Sequence, residues 1–118
     1  VVAFTGGTGA FKLGPRTLIL PDVTALNQNY PNPFNPSTTI VFDLGQRDGL
    51  SQHTRITVYD LLGRQVATLY DGIAVAGHYE VVWSGVNGQG LPVSSGVYFV
   101  RMMTQSGFTA TRKILLVK

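Results

Sequence analysis

The sequence predicts an all-β domain, an antiparallel β-sandwich of about seven strands. Three observations predict it. Apolar and polar residues alternate in short runs, the two-residue period that turns one face of a strand inward. Gly and Pro separate those runs, with 14 glycines and 6 prolines in 118 residues. No stretch carries a helical period. A hydrophobic content of 44% supplies a core, and a charged content of only 13% suits short, turn-linked strands.

Residues 1–22 are apolar pieces cut by glycine. Thr17-Leu18-Ile19-Leu20 reads as a strand stopped by Pro21-Asp22. Gly6-Gly7-Thr8-Gly9 with Lys12 lacks phosphate-loop spacing, and no Ser or Thr follows Lys12, so it is read as a glycine hairpin turn. The main domain is placed at residues 23–118.

Its entry is Asn29-Tyr30-Pro31-Asn32-Pro33-Phe34-Asn35-Pro36. Three prolines exclude a helix or a central strand and bias each preceding residue toward extended geometry. The asparagines can hold turns through their own backbone. Tyr30 and Phe34 are its bulky groups, expected to pin it onto the core.

Six strands follow. From Thr38 to Leu44, Ile40, Phe42 and Leu44 face one way; Gly45–Gln52 reads as a polar loop. Arg55–Asp60 turns Ile56 and Val58 inward and Arg55, Thr57 and Tyr59 outward. Gly63 permits positive φ in the turn Leu61-Leu62-Gly63-Arg64. Gln65–Tyr70 returns, with Val66 and Leu69 breaking alternation and predicting a bulge. Asp71-Gly72 and Ala76-Gly77 bracket a loop. Tyr79, Val81 and Trp83 then point inward, with Trp83 at the core centre. Tyr98, Val100 and Met102 form the inner face of the next strand. Thr109–Val117 is the last, and Ile114-Leu115-Leu116-Val117 is apolar on both faces, which predicts a central or covered strand. Phe42, Val58, Trp83 and Tyr98 are the expected core.

Composition also removes function classes. The net charge of +3 is scattered, with Arg112-Lys113 the one adjacent basic pair, so no nucleic-acid-binding stripe exists. Absent cysteine removes disulfides and thiol chemistry. No apolar run reaches membrane-spanning length. A first residue of Val1 rather than Met marks the chain as a processed product or an excised piece. No two of the six acids share a spacing that forces a common site. Asp60 and Asp71 stand at strand ends, where Asp caps turns, and His78 reads as a strand residue. No calcium-loop run, G-x-S-x-G elbow or metal-ligand spacing is present. The expectation is a module with neither catalytic residues nor cofactor. A sugar site would need an aromatic platform, for which Tyr59, Tyr70 and Phe99 are the outward candidates.

The stretch from Asn29 through Pro36 to Ile40 resembles the opening signature of the C-terminal sorting domain of the type IX (Por) secretion system. Later blocks agree in order: Val58-Tyr59-Asp60-Leu61-Leu62-Gly63-Arg64-Gln65-Val66, Gly77-His78 through Trp83, Gly88-Gln89-Gly90 through Ser95-Gly96-Val97-Tyr98, and Lys113-Ile114-Leu115-Leu116-Val117-Lys118. The resemblance covers about residues 24–118. The family is also similar to the immunoglobulin-like domain of flagellar hook-capping proteins. One departure is Ser84, where the family usually has Asp after the tryptophan.

The resemblance implies an immunoglobulin-like sandwich and an extracellular or cell-surface protein whose partner is the outer-membrane secretion machinery. It implies export followed by surface attachment. Recognition would rest on the folded surface and on Arg112, Lys113, Ile114, Leu115, Leu116, Val117 and Lys118, with Tyr30, Pro31, Asn32, Pro33, Phe34, Asn35 and Pro36 as the entry motif. Residues 1–22 lie outside it. They read as a linker, an extra strand, or a strand donated to another copy in a head-to-tail filament, with Leu18, Ile19 and Leu20 as anchors.

Overall fold

The computed structural model describes residues 20–118. The expectations that fall on residues 1–19, including an extra strand anchored by Leu18 and Ile19, lie outside the described residues. Leu20 is half-buried. Seven strands follow: β1 (Ala25–Leu26), β2 (Thr38–Leu44), β3 (Ser51–Asp60), β4 (Gln65–Val75), β5 (Gly77–Trp83), β6 (Gly96–Thr104) and β7 (Thr109–Leu116). They form two antiparallel sheets, β1-β2-β5 and β4-β3-β6-β7, packed as a sandwich.

Alternation sets the faces. Ile40, Phe42 and Leu44 of β2, Ile56 and Val58 of β3, and Tyr98, Val100 and Met102 of β6 are all buried in the core between the sheets. The irregularity expected in β4 is real. Its register against β3 slips twice, between Ile56 and Thr57 and between Val58 and Tyr59, where Leu69 and Val66 are the extra residues.

The structure corrects four expectations. β3 begins at Ser51, because Ser51–Thr54 pair with β4 residues assigned to a loop. Asp71 and Gly72 continue β4, and the chain changes sheets at Ala76 alone. Thr57 is buried, since β4 and β6 flank it with Thr68 and Arg101. Tyr30 is 54% exposed. Its backbone does the pinning instead, exchanging hydrogen bonds with Thr39 in both directions. For β7, expected to be central or covered, the structure gives the second alternative: it is an edge strand, and the entry motif lies against it.

Three rings tie the layers together. Trp83 meets Phe34 with ring centroids 5.7 Å apart and Tyr98 edge-on at 5.2 Å. Each polar ring atom is satisfied: the Trp83 indole donates to the Val86 carbonyl at 2.8 Å, and the Tyr98 hydroxyl to the Ser94 carbonyl at 2.6 Å. The Tyr98 bond, reaching back to the backbone just upstream of its strand, is built like the tyrosine corner of immunoglobulin-like sandwiches.

Phe34 comes from an irregular segment, so its burial fastens a stretch that no strand ladder holds. Phe34→Ala is expected to destabilise the fold by about 3–5 kcal/mol in chemical denaturation. A loss under about 1 kcal/mol would mean that the segment is held by its backbone alone.

Candidate functional site

The terminal strand β7 divides its side chains cleanly. Ile114 and Leu116 are fully buried, while Lys113, Leu115 and Val117 are exposed. Of the seven residues expected to be recognised, Ile114 and Leu116 are therefore out of reach of a partner meeting the folded domain. Arg112 is spent internally, its Nε donating to the Leu26 carbonyl at 2.8 Å and joining β7 to the other sheet.

The outer edge of β7 would present unpaired backbone groups, a template for pairing with other chains. Here the entry motif covers it. The Phe34 N–H donates to the Leu115 carbonyl and the Val117 N–H to the Phe34 carbonyl, both at 2.9 Å. The Leu115 N–H donates to Asn32 Oδ1 at 3.0 Å. The Lys113 carbonyl accepts from Gln28 Nε2 at 3.3 Å. Asn32 and Phe34 thus act as a short substitute strand, running parallel to β7. This is the physical answer to an apolar strand at a sheet edge.

The β3–β4 turn lies at the same end of the sandwich as Leu116. Asp60 organises it. Its Oδ1 accepts the Leu62 and Arg64 N–H groups, each at 2.9 Å, and its Oδ2 accepts Arg64 Nε at 2.8 Å. Gly63 takes a φ of +82°, where a side chain would be strained. Leu61 and Leu62 are left 68% and 76% exposed.

Residues 28–118 match the family model of the secretion system C-terminal sorting domain. The chain belongs to this family. Such a sorting domain is a non-catalytic module of type IX secretion, the route that carries cargo across the outer membrane to the cell surface or the medium.

Two solved structures from Porphyromonas gingivalis share its fold. One is dimeric latent PorU, at 24% identity and a TM-score of 0.64, covering 84% of this chain and 10% of that one. The other is PorZ, described as an essential bacterial surface component of the type IX secretion system, at 23% identity and a TM-score of 0.51, covering 79% and 11%. The chain spans about a tenth of the length of either. No curated protein sequence matches it.

In this sorting domain the remaining candidates fall into structural places. His53 bonds Asp71 at 2.7 Å and His78 bonds Asp43 at 2.5 Å, each across neighbouring strands. No group of three or more potential metal ligands forms among the described residues. The Ser84 hydroxyl lies 3.5 Å from Ser37 Oγ. Of the three outward aromatics, Tyr59 and Phe99 are cross-strand partners, whereas Tyr70 packs against Phe42 in the core. Sequence reasoning missed the Asn32 and Gln28 contacts to β7, because nothing in local pattern shows which distant edge an Asn side chain meets.

Two outcomes are expected. Asn32→Ala removes the acceptor of the Leu115 N–H, so amide exchange at Leu115 should accelerate selectively, with a stability loss of about 1 kcal/mol. The Arg64 backbone N–H, helped by the Arg64 guanidinium and the Leu62 N–H, holds the Asp60 carboxyl below the usual 3.8 despite partial desolvation. A carboxyl lowered by folding stabilises the native state above its unfolded value and loses that contribution as pH falls through its folded value. An NMR titration of Asp60 should therefore show a midpoint under 3.8, and Asp60→Asn should flatten the acid limb of the stability profile.

Proposed function

We propose that this chain is the export-addressing end of a larger secreted protein, read by the outer-membrane secretion machinery in its folded form and leading to cell-surface attachment. The match of residues 28–118 to the sorting-domain family carries the reading. The exposed Lys113, Leu115 and Val117 of β7, with the entry motif latched beside them, support recognition at this edge. Because the entry motif already satisfies the backbone of that edge, a partner would read the exposed side chains and the latched motif rather than add a strand. The domain contributes no chemistry; it presents a shape.

The test is a fusion of a signal-peptide-bearing reporter to residues 1–118 in a bacterium with a type IX system. The reporter should reach the surface or medium, and should stay in the periplasm when the system is deleted. Leu115→Asp with Val117→Asp, both on exposed positions, should cut export severely while circular dichroism stays native. Normal export of that double variant would move recognition away from β7.

A further inference from the structure

The tip of the β3–β4 turn breaks a general rule. Tight turns are normally polar, yet Leu61 and Leu62 are 68% and 76% exposed. Asp60 and Gly63 fix the turn's backbone, so both leucines are held out on a rigid support.

Directly behind them lies an aromatic row. Tyr59 is paired with Phe99, and Phe99 with Lys113. Leu61, Tyr59, Phe99 and Arg101 line one shallow depression of about 260 Å³. Arg101 and Lys113 are exposed, and neither is in a salt bridge among the described residues. The carboxylate that lines the same depression, Asp60, is committed to its own turn and to Arg64. Leucines at the tip, a tyrosine and a phenylalanine one layer back, and cations beside them follow the polarity gradient of a lipid interface. Apolar groups sit deepest, amphipathic rings at the boundary, and positive charge at the headgroups.

The opposite end of the sandwich supplies the contrast. Leu50, Ile73 and Val75 are exposed there too, but among Asp48 and Asp71. Its basic groups Arg47 and His53 face Asp22 and Asp71, so that end has less positive charge to offer an anionic surface.

We propose that the β3–β4 turn is a membrane-surface contact. Leu61 and Leu62 enter the acyl boundary of an anionic lipid surface while Arg101 and Lys113 meet its phosphates. This adds a lipid contact that protein recognition through β7 does not require. It would orient the domain with its turn end against the membrane and its chain entry, near Pro21 and Gln46 at the other end, pointing away.

Co-sedimentation of the full chain with phosphatidylcholine vesicles, with and without phosphatidylglycerol, tests it without any secretion component. Binding is expected only to the anionic vesicles and should weaken as salt is raised. Leu61→Asp with Leu62→Asp should reduce it by at least about tenfold, since two exposed leucines lose their apolar burial. Arg101→Gln with Lys113→Gln should abolish the preference for phosphatidylglycerol. Ile73→Asp, on the opposite end, should change nothing. Absent or equal binding to the two vesicle types would overturn the proposal. So would unchanged binding by the leucine variant, or a surface that takes up a polypeptide and no lipid.

Discussion

The structure depends on one insertion, the Phe34 ring between the sheets against Trp83. That residue lies in a segment with too many prolines to pair along a ladder, yet it is 2% exposed. Its side chain fills the core while its backbone closes the edge of β7, so packing and edge protection are solved by the same residue. Trp83 and Tyr98 extend the arrangement, each with its polar atom bonded to a backbone carbonyl, so burying them leaves no unpaired group.

This explains how a small domain without disulfides carries a strongly apolar final strand. Ile114 and Leu116 require burial for stability, and a strand that apolar would invite pairing with other chains if its edge were bare. The entry motif covers Lys113–Val117 from the side, and the exposed Lys113 guards the face. What is left outward is narrow and charged at its margins, an edge suited to selective reading.

Much of this was legible in the sequence. Strict alternation placed Ile40, Phe42, Ile56, Val58, Tyr98 and Val100, because two-residue periodicity and burial are the same fact seen twice. The broken alternation at Val66 and Leu69 located both register slips. The failures came where partners are distant. Asp71 and Gly72 look like a turn locally, but β3 extends far enough to pair with them. Tyr30 looks like an anchor by size, but its backbone bonds to Thr39 leave the ring outside. For β7 a cover was one of two expectations, but its identity was not legible, since it comes from more than eighty residues upstream, Asn32 to Leu115 being 83 apart. Likewise the exposure of Leu61 and Leu62 follows from how Asp60 shapes the turn, which no composition reveals.

That separation has a bearing on when the domain exists at all. Phe34 finds its backbone partners only once Leu115 and Val117 are present, so the first irregular segment of the domain and its last strand must both be made before either is settled. Contacts of such long range form late and together. A chain stopped short would have an open aromatic core and an unlatched entry, and would not display the finished edge. Whatever reads that edge is therefore also reading that synthesis has passed through β7: the address doubles as a proof that the whole sandwich is present.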